Sequence, residues 1–414
     1  MALDELMLAR PPLGPAEAST RPVRLLTFTT LFPHAGRPNH GIFVENRLRH
    51  LLGTGEASST VVAPVPWFPS RSPRFGDWAR HAAAARTELR DGLTVHHPRY
   101  PLVPRIGMHA APAALLAAGA AELRRLLRGG LGFDLIDAHY LYPDGVAAAA
   151  LGAMFGKPVV ITARGSDVTQ LPSYAGPRRL IQWAMRRASA LIAVSAGLRE
   201  AMLGLGASPE AVTVLRNGVD LSLFRPLDRT RVREQLGLQG PTLLSVGHLI
   251  PRKRHDLAIE CLRALPGWRL MIVGEGPERP ALEAQARLLG LQDRVTFHGS
   301  HPHHALPRFY TAADMLILAS SREGWANVLL EAMACGTPVV ASRIPGNPEV
   351  VQSAEAGLIV RENTAEGFAD AVRAIASDPP AREATRAYAE GFSWDATSAG
   401  QLAIFRRVLS TVAA

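Results

Sequence analysis

Two glutamates in the segment 320–338 are spaced so that both could contact one ligand. Glu323 and Glu331 stand about two helical turns apart, which places them on one side of a helix. A carboxylate there can accept hydrogen bonds from both hydroxyls of a ribose, and free amides at a helix start suit a diphosphate. The simpler interpretation makes Glu323 a helix-start acid and Glu331 a solvated residue. The amides in question belong to Gly324, Trp325, Ala326 and Asn327.

Two glycine-containing loops follow the first predicted strands in the second half of the chain. The first loop contains Gly247, Arg252 and Lys253, and the next contains Gly274 and Gly276. Because ligands of open α/β sheets bind beyond the carboxyl ends of the strands, the two loops could share one ligand. The cations would neutralise phosphate, and the glycines would let a nucleotide approach the backbone. Taken singly, the loops also fit a solvated basic turn and an ordinary tight turn.

Polar residues also follow predicted strands in the first half. His139 ends one strand and could bind a hydroxyl or transfer a proton, although a lone histidine at a strand end is more often structural. Arg164 and Asp167 follow the next strand and are candidates on the side of the acceptor, the second substrate. Gly41 precedes a predicted helix, where a phosphate could approach the backbone closely.

The sequence does not predict a metal site or another cofactor. His301, His303 and His304 flank Pro302 without a neighbouring cysteine or acidic ligand. No Walker lysine loop, Ser-His-Asp order or deaminase signature is present in the sequence.

Short β-rich runs alternate with amphipathic stretches along the chain, which is typical of parallel βαβ units. At 414 residues, we therefore expect an α/β protein with two Rossmann-like domains. The predicted strands are 23–30, 59–63, 135–138, 159–162 and 191–194 in the first half, and 242–246, 270–273, 295–297, 315–318 and 339–341 in the second. The expected divisions are an extension at 1–22, a first domain at 23–216, a hinge region at 217–240, a second domain at 241–391 and a terminal helix at 392–414.

The composition, with 47% hydrophobic and 20% charged residues, is that of a soluble folded protein. The apolar runs at 110–121 and 146–155 are too short to cross a bilayer, and residues 1–15 lack the apolar region of a secretory signal. Cys261 and Cys335 are the only cysteines, which fits a reducing compartment, so a cytoplasmic protein is expected. The net charge of +9 favours anionic partners without choosing among them.

Together these motifs resemble the retaining glycosyltransferases of family 4, which have the GT-B fold of two Rossmann-like domains facing a cleft. The resemblance covers residues 23–412 and is carried by the segments 217–226, 246–253 and 323–336. The segments 41–47 and 162–167 look most like the branch that assembles cell-surface polysaccharides, including teichuronic-acid-type transferases. The segment 392–409 resembles the family's terminal helix, which crosses back onto the first domain.

The resemblance implies transfer of a sugar from a nucleotide-diphosphate donor to a sugar or lipid-linked acceptor, without a metal. Glu331 would hold the donor ribose, Glu323 would contact the donor sugar, and Lys253 would neutralise the diphosphate. His139 would bind the transferred sugar, and Gly41 would lie near the phosphates. The acceptor would attack from the front face, with the leaving phosphate taking its proton. The other donor-site residues would be Asn217, Gly247, Arg252, Gly274, Gly276, Gly324, Trp325, Ala326 and Asn327.

Three positions depart from the pattern that the resemblance implies. His248 stands where relatives commonly carry a phosphate-binding arginine, so a permanent charge is missing unless Arg252 supplies it. Arg164 stands where many relatives have a histidine, and Ala326 replaces a frequent glycine. These departures leave the contact made by Arg164 open and could narrow the choice of donor.

Two alternatives compete with a transferase: a GT-B sugar-nucleotide epimerase and a non-catalytic sugar-nucleotide-binding subunit. The intact Glu323, Glu331 and Lys253 argue against the second. Nucleic-acid binding is not expected, because no recognition motif accompanies the positive charge. Since the donor loops and His139 lie in different halves of the chain, the domains are expected to close for chemistry.

The segment 177–190 predicts reversible contact of the first domain with the anionic inner face of the cell membrane. Arg178, Arg179 and Arg186 share one side of a helical wheel beside Trp183, a pattern that suits anionic lipid. The alternative is a solvated helix that packs its apolar side on the sheet.

Overall fold

The structure is a computed structural model that describes residues 21–102 and 107–413. Residues 1–20 of the predicted extension at 1–22 lie outside the described residues. The described chain folds into two α/β units, built on sheets of eight and six strands, as the GT-B expectation requires.

The strands of the first half are β1 (Val23–Phe28), β2 (Ala57–Val62), β3 (Val65–Pro66), β4 (Thr87–Arg90), β5 (Leu93–His96), β6 (Arg99–Tyr100), β7 (Leu135–His139), β8 (Val159–Ala163), β9 (Ala190–Ala193) and β10 (Val212–Val214). Those of the second half are β11 (Thr242–Val246), β12 (Arg269–Val273), β13 (Val295–Gly299), β14 (Met315–Leu318), β15 (Val339–Ala341) and β16 (Gly357–Ile359). The large sheets have the orders β10-β9-β8-β7-β1-β2-β5-β4 and β13-β12-β11-β14-β15-β16, while β3 pairs with β6.

The helices that cover the first sheet are α1 (Ile42–Gly53), α2 (Asp77–Ala83), α3 (Gly107–Arg128), α4 (Val146–Phe155), α5 (Ser166–Thr169), α6 (Ala175–Arg187) and α7 (Ala196–Gly204). Those that follow are α8 (Arg229–Gln235), α9 (His255–Cys261), α10 (Arg279–Leu288), α11 (Pro307–Ala312), α12 (Asn327–Ala334), α13 (Asn347–Val350), α14 (Ala365–Ser377), α15 (Arg382–Glu390) and α16 (Trp394–Ala413).

The central strands are buried along their whole length, which is why they read as continuous apolar runs. Every residue of β7, β8 and β11 is buried, as expected for parallel strands covered by helices on both faces. The hairpin of β4 and β5 departs from the all-parallel prediction, because these two strands pair antiparallel at the edge of the first sheet. Its turn residues, Asp91 and Gly92, have positive φ angles of 47° and 85°, which suit a tight two-residue hairpin turn.

The last helix packs on the first unit rather than on the second. Leu402, Phe405 and Val408 of α16 join the buried cluster that contains Val44 and Leu51 of α1. The sheet of the first unit is therefore covered on one side by the beginning and the end of the described chain.

The two sheets point their carboxyl ends at each other across a cleft. Loops that follow β7 and β8 approach it from one side, and loops that follow β11, β12 and β14 approach it from the other. Because all these strands are parallel within their sheets, the polar residues that end them meet at a single place.

Candidate active site

The cleft between the two units has a volume of ≈ 460 Å³. Of the acceptor-side candidates, Arg164 lines it and Asp167 does not. Most of the predicted donor-site residues line the cleft: Asn217, Gly247, Arg252, Lys253, Gly274, Glu323, Gly324, Trp325, Ala326, Asn327 and Glu331.

Lys253 and Glu323 form an ion pair in the cleft wall. Nζ of Lys253 donates a hydrogen bond of 2.6 Å to Oε1 of Glu323, and Nη1 of Arg252 lies 3.5 Å from Oε2. Burial raises the pKa of Glu323, but the charges of Lys253 and Arg252 outweigh burial and hold this pKa below its ordinary value. Two cations share one carboxylate here, so the cluster retains positive charge for an anionic ligand.

Glycine backbones bring the loops after β11 and β12 together beside Lys253. Gly247 and Gly274 have φ angles of 148° and 151°, which side-chain-bearing residues rarely adopt. A Cβ atom on Gly274 would lie 1.9 Å from the carbonyl oxygen of Gly247, so only glycine permits this contact. Gly276 instead packs against Leu249, where a Cβ atom would lie 2.3 Å from a carbonyl oxygen, and it does not line the cleft.

Glu331 is held by hydrogen bonds on both of its oxygens. The hydroxyl of Tyr310 donates to Oε2 at 2.7 Å, and Nε2 of His303 lies 3.0 Å from Oε1. Glu331 is only 8% exposed, so the interpretation as a solvated residue is wrong. Burial lowers the pKa of His303, but Glu331 outweighs burial and raises it above its ordinary value. Since a carboxylate offers about four acceptor positions, Glu331 can still bind ribose hydroxyls.

The helix that carries Glu331 begins later than the sequence predicts. α12 starts at Asn327, so Gly324, Trp325 and Ala326 form the loop that leads into it. No side chain caps this end, and the amide of Asn327 donates a hydrogen bond of 3.2 Å to the carbonyl oxygen of Trp325. The amides of the loop before it are therefore the candidates for a ligand. A Cβ atom on Gly324 would lie 1.9 Å from the carbonyl oxygen of Arg164, so the two domains touch here through bare backbone.

His139 lies behind the cleft wall rather than in it. Its side chain is buried, and Nη2 of Arg164 donates a hydrogen bond of 2.7 Å to its Nδ1. Nε2 of His139 lies 3.4 Å from Oδ2 of Asp137. Burial lowers the pKa of His139 to about 4, so the imidazole is neutral near neutral pH. Arg164 therefore separates His139 from any sugar in the cleft.

Asn217 forms hydrogen bonds to residues of both domains, including the buried Arg47. Its Oδ1 accepts hydrogen bonds from Nη1 of Arg47 at 3.2 Å and from Nη1 of Arg164 at 3.3 Å. Its Nδ2 donates to Oδ1 of Asn327 at 3.2 Å. Nε of Arg47 donates to Oε1 of Gln401 in α16 at 2.9 Å, so the last helix also supports the cleft floor.

Asp167 and Gly41 are held within the first domain, next to residues that line the cleft. The carboxylate of Asp167 accepts hydrogen bonds from the amides of Leu141 at 2.8 Å and Gly165 at 2.7 Å, which fixes the loop that presents Arg164. Gly41 precedes α1 with a φ angle of 68°, and a Cβ atom there would lie 2.3 Å from the carbonyl of Leu31. Neither residue lines the cleft, because each is engaged by its own domain.

A second contact joins the domains beside the cleft. Oε2 and Oε1 of Glu349 in α13 accept hydrogen bonds from the amides of Ala196 at 2.9 Å and Gly197 at 3.1 Å, at the start of α7. Nη2 of Arg216 also donates to Oε2 of Glu349 at 2.8 Å. Negative charge is favourable at a helix start, so this carboxylate stabilises the juxtaposition of the domains.

The sequence reasoning missed His303, Tyr310 and Arg47 as parts of the site. His303 was considered only as a metal ligand, whereas it contacts Glu331. Among residues 21–102 and 107–413, no group of three or more His, Cys, Asp or Glu side chains is arranged to hold a metal ion. Within the same described ranges, no helix has the length and apolar character needed to cross a membrane.

Both halves of the chain match known glycosyltransferase families. Residues 75–223 match Glycosyltransferase Family 4, and residues 228–392 match Glycosyl transferases group 1. Together the two matches include nearly all of the cleft-lining segments described above.

Similar proteins extend over most of the chain. A D-inositol 3-phosphate glycosyltransferase of Frankia alni is 35% identical over 355 residues, which are 79% of this chain and 87% of the relative. TuaC of Bacillus subtilis, a glycosyltransferase assigned to teichuronic acid biosynthesis, is 30% identical over 360 residues, which are 84% of this chain and 88% of TuaC.

Solved structures share the fold at low sequence identity. Sucrose-phosphate synthase from Thermosynechococcus elongatus has a TM-score of 0.77 and 22% identity, with 94% of this chain and all of that chain (100%) covered. HepE from Anabaena in complex with UDP has a TM-score of 0.68 and 20% identity, with 95% and 99% covered.

Proposed function

Because this chain belongs to the group 1 and family 4 glycosyltransferases, which use nucleotide-sugar donors, we propose that it is a retaining hexosyltransferase of cell-surface polysaccharide or glycolipid assembly. The observation that carries the proposal is the arrangement of Lys253, Glu323 and Glu331 around one cleft. A nucleotide-diphosphate sugar needs a cation for its diphosphate, here Lys253, and a carboxylate that accepts hydrogen bonds from its ribose hydroxyls, here Glu331. Glu323 is the carboxylate that is paired with the cation.

The donor lies, in this proposal, along the second-domain wall. Glu331 accepts hydrogen bonds from the ribose, since Tyr310 and His303 already orient its carboxylate. The backbone at Gly247 and Gly274 lies alongside the nucleotide, as the lack of side chains there allows. The diphosphate contacts Lys253, Arg252 and the amides of the loop that precedes α12, namely those of Gly324, Trp325 and Ala326.

The chemical step needs a group that stabilises the leaving diphosphate. The acceptor hydroxyl attacks the anomeric carbon from the face that the diphosphate leaves, the old glycosyl–phosphate bond breaks, and a phosphate oxygen takes the acceptor proton. Lys253 stabilises the charge that grows on the diphosphate, and Glu323 contacts the transferred sugar. His139 acts by holding Arg164 in place rather than by touching the sugar, because Arg164 covers it.

The relatives suggest two classes of pathway. The names of the Frankia alni and Bacillus subtilis proteins refer to an inositol phosphate acceptor and to teichuronic acid. We favour the role in polysaccharide assembly, because the segments 41–47 and 162–167 look most like the branch of the family that assembles cell-surface polysaccharides. No metal or other cofactor is part of the proposed reaction.

The protein acts, in this proposal, in the cytoplasm and contacts the inner face of the membrane through the first domain. In α6, Arg178, Arg179 and Arg186 are exposed, but its apolar side is buried. A second surface offers exposed apolar groups as well as charge: Trp67 is 57% exposed, and the guanidinium of Arg74 lies 4.7 Å from the ring centre of Phe75. Exposed aromatic rings beside arginines suit a membrane interface.

The second surface also adjoins the cleft mouth. A Cβ atom on Gly36 would lie 2.1 Å from the carbonyl oxygen of Arg80, so the loop 34–40 packs closely on α2. Asn39 of the same loop lines the cleft. The loop that lines the first-domain side of the cleft therefore packs on the helix that follows Phe75.

A panel of nucleotide sugars tests the transferase directly. The purified protein with a suitable acceptor should release nucleoside diphosphate from one sugar nucleotide, and the product should keep the anomeric configuration of the donor. An epimerase would convert the sugar nucleotide without any acceptor, and a non-catalytic subunit would bind it unchanged. Either of those results would contradict the proposal.

A further inference from the structure

Arg164 is the one charged side chain that the first domain contributes to the cleft wall, among the described residues. It follows β8 and is presented by the loop that Asp167 fixes. The remaining first-domain wall is formed by apolar and uncharged polar side chains such as Phe43, Tyr140 and Thr169. Among the described residues, no other first-domain side chain that lines the cleft carries a charge.

The partners of Arg164 are neutral. Its Nη2 donates to Nδ1 of His139 at 2.7 Å, its Nη1 donates to Oδ1 of Asn217 at 3.3 Å, and its charge lies 5.5 Å from the ring centre of Phe43. No carboxylate within the described ranges forms an ion pair with it, and its buried Nε has no hydrogen-bond partner among those residues. Arg164 itself is only 9% exposed.

Charges of both signs lie near this guanidinium, but among the described residues none forms an ion pair with it. Arg47 is buried beside it and adds a second positive charge. Oδ2 of Asp137 accepts a hydrogen bond of 3.1 Å from Gln401 and lies near His139, whereas its buried Oδ1 has no hydrogen-bond partner among the described residues. The carboxylate of Asp167 accepts hydrogen bonds from backbone amides. A buried guanidinium without an ionic partner is costly, and an anionic group that accepts its hydrogen bonds would recover much of that cost.

We propose that a sugar substrate of this cleft carries an anionic group, a carboxylate or a phosphate, that is held by Arg164. The inference rests on the proposed glycosyl transfer and narrows its substrate class. Guanidinium suits both groups, because its planar donors match two oxygens at once. Burial and the charge of Arg47 lower the pKa of Arg164 from its ordinary value, and an anionic group bound to the guanidinium would offset both effects.

The position of Arg164 allows two sources for the anionic group. Gly165 lies against Gly324, where a Cβ atom on Gly165 would be 3.2 Å from the backbone of the other domain. The backbone that carries Arg164 is therefore close to the loop that precedes α12, where the transferred sugar joins the diphosphate in our proposal, and Arg164 itself lines the first-domain side of the cleft. A uronic acid in the donor and a charged acceptor are the two cases.

The experiment compares charged and uncharged sugars in wild type, Arg164→Gln and Arg164→Lys. In the donor arm, UDP-glucuronate and UDP-glucose are titrated into the protein by calorimetry. In the acceptor arm, inositol 3-phosphate and inositol are titrated into protein saturated with UDP. Arg128→Gln, at an exposed position of α3, serves as the matched control for loss of one arginine. Free UDP binding and the melting temperature are measured for every variant.

The wild type should bind the charged member of one arm at least tenfold more tightly than its uncharged counterpart. Arg164→Gln should remove that preference, Arg164→Lys should keep part of it, and free UDP should bind all variants equally. The arm that shows the preference identifies the source of the anion. Equal binding of charged and uncharged sugars in both arms would overturn the proposal. Loss of free UDP binding in Arg164→Gln would do so too, by assigning the arginine to the diphosphate. Failure of the wild type to bind UDP, GDP or ADP would instead refute the proposed function itself.

Discussion

Nζ of Lys253 lies 2.6 Å from Oε1 of Glu323, which joins the loop after β11 to the loop after β14. This ion pair bears on how Lys253 can bind a phosphate. In the proposed mechanism a donor diphosphate shares Lys253 with this carboxylate, and the second cation, Arg252, lies 3.5 Å from the same carboxylate. In that mechanism Glu323 reduces the attraction of the two cations for phosphate and contacts the transferred sugar.

Replacing Glu323 with Ala should separate nucleotide binding from turnover. Without the carboxylate, Lys253 and Arg252 lose their counter-charge, so free nucleoside diphosphate should bind as tightly as in wild type or more tightly. Turnover should fall about a hundredfold if the contact with the transferred sugar strengthens in the transition state. Calorimetry with free nucleotide and initial rates at saturating donor measure the two effects. Loss of nucleotide binding in this variant would show that the roles are assigned wrongly.

Replacing Glu331 with Ala should have the opposite pattern. The ribose contact is made in the ground state and the transition state alike, so donor and free nucleotide should both bind roughly tenfold more weakly, the scale of a lost charged hydrogen bond. Turnover at saturating donor should survive comparatively well. Tyr310→Phe, which leaves the carboxylate but removes one of its hydrogen bonds, should show a smaller loss of the same kind. Comparable melting temperatures are required before either variant is interpreted.

Glu349 should control how far the domains separate. Its carboxylate bonds the amides at the start of α7 and Arg216, so Glu349→Gln keeps the size of the side chain and removes its charge. Small-angle scattering should show larger dimensions for the variant, and a donor analogue should restore most of the compaction. The exposed Glu362 of the same domain provides the matched control as Glu362→Gln. Identical dimensions for wild type and Glu349→Gln, with and without the analogue, would argue against domain closure.

Membrane contact should depend on exposed aromatic groups more than on α6. We expect the wild type to sediment with anionic vesicles but not with neutral vesicles at low salt, because arginines supply much of the attraction. Joint replacement of Trp67 and Phe75 with Ser should reduce binding several-fold more than joint replacement of Arg178 and Arg179 with Gln, since α6 offers no exposed apolar side. Equal recovery in the supernatant with both vesicle types would refute membrane association.

Acid should destabilise the protein through buried neutral histidines. His255 is buried beside Ser245, and burial lowers its pKa to about 4. As the pH falls below 6.5, His255 becomes protonated in the unfolded chain but stays neutral in the folded chain. The stabilisation that is present above pH 6.5 is therefore lost as the pH falls toward 4. The effect of one such group is at most about 3 kcal/mol. In denaturant titrations, His255→Asn should lose less stability between pH 7 and pH 4.5 than wild type, whereas the exposed His304→Asn should not differ from it.

Apolar patterning predicted most of the sheet, and its failures have a physical cause. The strands buried on both faces, such as β8 and β11, are continuous apolar runs and could be found without the structure. The edge strand β4 has the sequence TELR and alternates between exposed and half-buried residues, so no apolar run marks it. The adjoining Asp91-Gly92 turn was a usable hairpin signal, which the predicted strand set overlooked.

The candidate site was predictable where it depends on strand ends and not where it depends on side-chain packing. Lys253, Glu323 and Glu331 follow or lie beside parallel strands, and the rule for carboxyl ends places them together. The contacts of His303 with Glu331 and of Arg164 with His139 join residues that are separated by 28 and 25 positions in the chain and do not lie in the same element. The direction in which each of these side chains points depends on how several elements pack together. The local sequence does not encode that packing.

The return of α16 to the first domain has a consequence for synthesis on the ribosome. The apolar side chains of Leu402, Phe405 and Val408 complete a buried cluster whose members outside α16 lie between Val23 and Ile192, and the side-chain amide of Gln401 contacts Arg47 in the same domain. Since domains generally fold as their residues emerge, the second domain can finish while the first still has an open apolar face. During that interval the nascent first domain exposes the apolar surface that α16 will cover. A chaperone would find its largest apolar binding surface on the chain at that stage.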